Sequence, residues 1–105
     1  MAIATTATGD HAIIPQSSPS NYQVTPTNSP QPLTSASCYQ VTFHAPLSNT
    51  KTVVVGGSNL TMSSPPNGPE LGPGDSYTYN ISNADKLRYA AADAGQKLNV
   101  EVKSL

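Results

Sequence analysis

The sequence predicts a small all-β domain, a sandwich or barrel-like structure of about six to seven short antiparallel strands, preceded by an extended N-terminal arm. Three observations predict this fold. Short segments that alternate polar and apolar residues, or that are rich in β-branched residues, recur roughly every 8–12 residues. Turns containing glycine or proline separate these segments. The first 36 residues differ from the rest, with five prolines and a single charge, Asp10.

Residues 1–36 are predicted to form the arm, and residues 37–105 the β domain. Proline removes amide donors, disfavours helices and central strands, and pushes the preceding residue towards extended backbone. Two patches of the arm, residues 11–14 and 21–25, are candidates for strand pairing or docking, and a flexible tail is the alternative. The partner-binding residues predicted in the arm are Ile13, Ile14, Tyr22, Val24 and Leu33.

The domain begins with an alternating segment, residues 38–44, in which Tyr39, Val41 and Phe43 share one face. Period-two alternation is typical of a half-buried strand. Cys38 is predicted to be a small buried residue of this strand. The alternative, a reactive thiol activated by His44, has no further support in the sequence.

The next segment, residues 52–55, is a continuous β-branched run, which favours a strand covered on both faces. Two glycines at 56 and 57 end it and predict a tight turn or bulge. Residues 59–63 then predict a second short strand with Leu60 and Met62 on the same face.

The rest of the chain alternates loops and strands. Residues 64–74 are a Pro/Gly-rich loop in which Leu71 is expected to contact the core. Strands are predicted over 75–81, 86–91 and 97–102. The residues expected to share a face in these strands are Tyr77, Tyr79 and Ile81, then Leu87 and Tyr89, then Leu98, Val100 and Val102. A helix over 83–94 is not expected, because Leu87 and Tyr89 are two residues apart.

Charge and hydropathy exclude several classes of protein. Only 10% of residues are charged and the net charge is −1, so there is no basic field for nucleic acid phosphates and no polybasic membrane anchor. No apolar run approaches the ~20 residues of a membrane-spanning helix. The N-terminus lacks the features of a secretory signal, so synthesis in a cytoplasm is expected.

No catalytic residue, cofactor site or metal site is predicted, and the protein is not expected to be an enzyme. The six acidic residues are scattered, mostly in turns, and neither His11 nor His44 has a ligand at metal-binding spacing. Tyr77 and Tyr79 could form a sugar-binding stripe if both faced solvent. Packing in the core or at an interface is the favoured interpretation.

The order of motifs over residues 38–103 resembles a small β module of tailed-phage virion proteins. The matching pieces are Val-Gly-Gly-Ser at 55–58, Leu-Gly-Pro-Gly-Asp-Ser at 71–76, Leu-Arg-Tyr-Ala-Ala at 87–91, Ala-Gly-Gln at 94–96 and the strand at 98–102. The proline-rich loop before Leu71 and the arm depart from the pattern.

The resemblance implies a virion structural protein with no catalytic residues. With its arm, the chain is similar to a capsid decoration (cement) protein on the outer surface of the head. The expected partners are the major capsid protein and the protein itself, as a homodimer or homotrimer on a symmetry axis, with no nucleic acid and no membrane. The alternative is a tail- or fibre-associated adhesion module that binds carbohydrate.

Overall fold

Two four-stranded antiparallel sheets pack as a sandwich in the computed structural model, which describes residues 19–104. The first sheet has the strand order β1–β8–β3–β6 and the second sheet has the order β2–β7–β4–β5. The strands are β1 (Ser20–Val24), β2 (Gln31–Pro32), β3 (Gln40–His44), β4 (Val53–Gly56), β5 (Glu70–Leu71), β6 (Ser76–Tyr79), β7 (Arg88–Ala90) and β8 (Leu98–Lys103). The predicted all-β class is confirmed.

The two central strands of the first sheet show the predicted alternation. Val41 and Phe43 of β3 are fully buried, and the other three residues of the strand are partly exposed. In β8, Leu98, Val100 and Val102 are buried, as predicted. Val100 and Val102 pair with Phe43 and Val41 of β3. Because directly paired residues point to the same side of a sheet, these side chains form one continuous inner face.

Strand β4 of the second sheet is covered on both sides, as its β-branched run predicts. Val53 and Val55 belong to the core between the sheets, and Val54 is equally buried although it points the other way. The loop over residues 57–69 lies on that other side. It is held there by a hydrogen bond from Val55 N to Pro69 O at 3.1 Å.

The predicted strand over residues 59–63 is wrong, because these residues form turns and loop instead. Leu60 is buried against β4, where its side chain lies beside Gly56 and Gly68. The backbone of this segment bonds within the loop. Asn67 accepts a hydrogen bond from Thr61 N at 2.8 Å and donates to the residue 59 carbonyl at 3.0 Å. The amides of Leu60 and Thr61 are thus paired within the loop, and the segment joins neither sheet.

The described part of the predicted arm, residues 19–36, belongs to the sandwich. All five residues of β1 pair with β8, and β2 pairs with β7. Leu33 is 3% exposed and lies in the core. Asn83, which caps the single 3-10 turn Ala84–Lys86, also accepts a hydrogen bond from Ala36 N at 3.1 Å. In the described part of the chain, the first strand therefore begins at Ser20, before the predicted boundary at residue 37.

Pairing in this sandwich is almost entirely between strands distant in sequence. Of the consecutive strand pairs in the described chain, only β4 and β5 are neighbours in one sheet. Every other connection crosses from one sheet to the other. Strand β8, the last in the described chain, lies between β1 and β3 and so fixes the N-terminal strand to the middle of the first sheet.

Candidate functional site

The two sheets differ at their edges, and this difference defines the candidate site. The second sheet ends in β2 and β5, which are two residues long and contain Pro32 and Glu70. Very short strands, proline and charge are the features that protect sheet edges from pairing with other chains. The first sheet ends in β1, with five residues, and β6, with four, and neither strand contains a charged residue. Within residues 19–104, the open edges of the sandwich are therefore those of the first sheet.

Strand β6 carries a pair of tyrosines at its open edge. Tyr77 pairs with Phe43 and Tyr79 with Val41, so both rings lie on the inner side of the sheet. Tyr79 contacts Phe43 edge-on, with ring centroids 6.1 Å apart. Burial raises the pKa of Tyr79, and the nearby Tyr77 phenol adds to this effect. Tyr77 is 42% exposed, whereas Tyr79 is half-buried and packs against the core.

The geometry of the two rings bears on the carbohydrate alternative. Their centroids are 4.9 Å apart and their planes are inclined by 56°. Rings at this angle do not form one flat surface on which a sugar ring could stack. The arrangement is that of an aromatic pair packed partly into the core and partly at the edge.

The other open edge, β1, carries two of the predicted partner-binding residues. Tyr22 and Val24 pair with Val100 and Leu98, are half-buried and pack against the core. Burial, with a smaller effect from Tyr89, raises the pKa of Tyr22. A groove of about 290 Å³ runs beside this strand. It is lined by Ser20, Tyr22, Thr34, Ala36 and Val102.

The remaining predicted partner-binding residues fall in different places. Ile13 and Ile14 lie outside the described residues. Leu33 contributes to the protein's own core and exposes almost no surface. The structure therefore brings Tyr22 and Val24 together on one strand and places Leu33 apart from them, in the core.

A ladder of uncharged polar side chains crosses the outer face of the first sheet, and sequence reasoning missed it. Its hydrogen bonds join neighbouring strands. They are Gln23 Nε2 to Asn99 Oδ1 at 2.9 Å, Gln40 Nε2 to Asn80 Oδ1 at 3.2 Å and the Thr42–Thr78 hydroxyl pair at 3.0 Å. The polar positions of the alternating strands indicated a solvent face, but their cross-strand partners depend on a pairing the sequence does not show. These side chains largely satisfy one another.

The environment of Cys38 does not favour a reactive thiol. Cys38 lies just before β3 rather than within it, is half-buried, and its thiol is 3.2 Å from the Ile81 carbonyl oxygen, to which it donates. Burial raises the pKa of this thiol, which disfavours a reactive thiolate. Within residues 19–104, no three His, Cys, Asp or Glu side chains are placed to hold a metal ion. The same residues contain no helix long and apolar enough to cross a membrane.

Comparison with known proteins adds no assignment: no family model, no curated protein and no solved structure matches this chain.

Proposed function

We propose that this protein is a virion structural protein of a tailed phage, a capsid cement protein. In this proposal it binds the outer surface of the major capsid protein lattice and stabilises the head by bridging neighbouring subunits. The observation that carries it is the pair of long, uncharged open edges of the first sheet. The motif order over residues 38–103 supplies the class of partner.

Open edges suit a protein that works by assembly. A sheet edge offers main-chain donors and acceptors at regular spacing, and a strand of a partner can pair with them. A low charge content removes repulsion between copies that are packed closely on a shell. Because a capsid repeats the same site many times, a modest contact at each site is multiplied by avidity.

The N-terminal segment contributes the second contact in this proposal. Ile13 and Ile14 are apolar residues in a polar, proline-rich stretch that precedes the open edge at β1. A segment of this composition can bind a neighbouring subunit through its apolar residues. Tyr22 and Val24 pack against the core and so fix β1 beside that contact. Leu33 is a core residue and stabilises the fold.

The experiment is decoration of heads that lack this protein. The full chain, a variant without residues 2–18 and the double variant Ile13→Ser, Ile14→Ser are mixed with purified heads, and bound protein is quantified. Deletion of residues 2–36 is unsuitable, because it removes β1, β2 and Leu33. Ile3→Ser is the matched control, since it removes an isoleucine outside the predicted patch.

We expect the full chain and the Ile3→Ser variant to bind at a lattice stoichiometry, on the order of hundreds of copies per head. The deletion and the double variant are expected to bind weakly. Equal decoration by the deletion variant would exclude the arm contact. If the full chain does not bind heads, or is present at about a dozen copies or fewer per virion, the cement proposal fails and a tail location is favoured.

A further inference from the structure

We propose that β6 is a self-association edge. Two copies pair their β6 strands antiparallel across a two-fold axis at Thr78, and this joins their four-stranded first sheets into one continuous sheet. The inference rests on the geometry of β6 and is independent of what else the protein binds. It identifies the surface and the register of a homodimer.

The backbone of β6 presents its free hydrogen-bonding groups in a regular pattern. Ala45 N donates to Asp75 O at 2.9 Å, and Ile81 N donates to Tyr39 O at 3.3 Å. In an antiparallel ladder every second residue exchanges hydrogen bonds with its partner strand. The backbone groups of Tyr77 and Tyr79 therefore face β3. Those of residues 76, 78 and 80 face away from it, where no other described strand pairs with β6.

This pattern is symmetric about Thr78, which makes the edge complementary to itself. If Thr78 lies on a two-fold axis, its N–H and C=O meet the C=O and N–H of the same residue in the second copy. Ser76 of each copy then pairs with residue 80 of the other copy. All the outward-facing amides of the strand gain partners in one arrangement.

The side chains beside this edge favour association. The large apolar side chains that are exposed in the described chain are Leu47, at 81%, and Tyr77, at 42%. Tyr77 is on β6, and Leu47 is beside Gly74, which precedes the strand; a Cβ on Gly74 would lie 3.0 Å from the Leu47 side chain. The two-fold pairing places Tyr77 opposite Tyr79 of the second copy. The four tyrosines then cover one another on the inner side of the joined sheet.

Charge does not oppose the contact. Strand β6 has no charged residue, and Thr78 faces the outer side of the sheet next to Thr42. Nothing on the strand repels an identical strand, whereas natural edges that avoid pairing carry lysine, proline or a bulge. The contact is small compared with interfaces of roughly 1,200–2,000 Å². We therefore expect a weak dimer in solution, with a dissociation constant in the micromolar range or above.

The first test is sedimentation velocity from about 10 µM to about 1 mM, a range chosen because small interfaces bind weakly. Thr78→Pro removes the central amide donor of the free edge, a position at which an edge strand tolerates proline. Thr78→Lys places two like charges at the axis and leaves the backbone intact. Asn21→Lys is the matched control, because it adds the same charge to the outer face of the opposite edge, across from Glu101.

We expect the unmodified protein and the Asn21→Lys variant to dimerise. Both Thr78 variants are expected to weaken the dimer about tenfold or more, with the circular dichroism spectrum of the folded protein retained by Thr78→Lys. A protein that stays monomeric at the highest concentration overturns the inference. So does a dimer that Asn21→Lys disrupts and Thr78→Lys does not, since β1 or another edge would then be the contact.

Cross-linking tests the register. In a Cys38→Ser background, Thr78→Cys places two thiols on directly opposed residues, whose Cα atoms are about 5.5 Å apart in a hydrogen-bonded antiparallel pair. This separation suits a disulfide. Ser76→Cys is the control, because its two copies would lie about 14 Å apart along the strands. Efficient cross-linking of Thr78→Cys alone supports the pairing; equal or greater cross-linking of Ser76→Cys contradicts it.

Discussion

The closest backbone approach in the loop over β4 occurs at Gly68, and replacing this glycine tests how the second sheet is covered. A Cβ at this position would overlap the Val55 carbonyl oxygen and lie 2.8 Å from Leu60 Cδ1. Val55 N is hydrogen-bonded to the adjacent Pro69 carbonyl at 3.1 Å. The loop therefore cannot move away from β4 without losing that bond. Gly68→Ala is expected to destabilise the fold.

The magnitude follows from what blocks the new methyl group. Overpacking in a well-packed site costs ~1–3 kcal/mol, and we expect the upper part of this range because backbone obstructs the methyl group. Reduced freedom of the unfolded chain offsets ~0.4–1 kcal/mol of the cost. The net loss is about 2 kcal/mol, which lowers the melting temperature of a domain this size by about 8–16 °C.

The control is Gly57→Ala, in the same loop. The nearest atom to a Cβ at Gly57 is Asn59 Oδ1, 3.9 Å away, which is ordinary contact. This variant is expected to be neutral or stabilised by up to ~1 kcal/mol. Urea and thermal unfolding, followed by circular dichroism, give the comparison. If the two variants differ by less than ~0.5 kcal/mol, the loop does not pack on β4 as described.

Three further perturbations test other parts of the fold. Gln96 is 4% exposed and its Oε1 accepts from the amides of residues 50 and 51, both at 2.9 Å; Gln96→Ala leaves both amides unpaired, and urea unfolding should show a loss of ~2–4 kcal/mol. Leu33→Ala should cost ~2–5 kcal/mol in the same assay because Leu33 is a core residue, whereas the exposed neighbour Thr34→Ala should cost less than ~0.5 kcal/mol. Equal losses of stability in the two variants would contradict the placement of Leu33 in the core. The raised pKa of Tyr79 means that its contribution to stability is complete below the ordinary pKa of 10.0 and is lost as pH rises towards the folded-state pKa. The urea midpoint should therefore fall less between about pH 9 and about pH 11 in Tyr79→Phe than in the unmodified protein.

The alternation of polar and apolar residues predicted β3 and β8 because each of these strands buries one of its two faces in the core. In β3 and β8 the apolar residues repeat every second position, and all of them reach the core. The segment 59–63 has the same alternation in Leu60 and Met62 but is not a strand. Its Thr61 amide donates to Asn67, and its Leu60 side chain is covered by β4. Alternation therefore predicts which side chains are buried. It does not predict whether the backbone of the segment pairs with another strand.

The pairing of residues 19–36 with the sheets was not predicted, for a related reason. Proline and uncharged polar residues indicate a segment with no core of its own, and residues 19–36 indeed contribute few buried side chains. They are held instead by main-chain pairing to β7 and β8, strands encoded over 50 residues later. Such distant pairing leaves no local mark in the sequence. The patch at residues 21–25 carried the one available signal, because Tyr22 and Val24 alternate with polar residues.

The open edges bear on the proposed role in assembly, because the surface between them is polar but weakly charged. On the outer face of the first sheet the polar side chains bond mainly to one another, as in the pairs Gln23–Asn99 and Thr42–Thr78. Side chains with satisfied hydrogen bonds gain little from a partner. The amides and carbonyls at the edges of this sheet, by contrast, have no partner strand in the described chain, and a second strand would satisfy them at regular spacing. Specificity must come from the side chains that flank each edge. At β6 these are Tyr77 and Leu47, so substituting them should weaken association without altering the sheet itself.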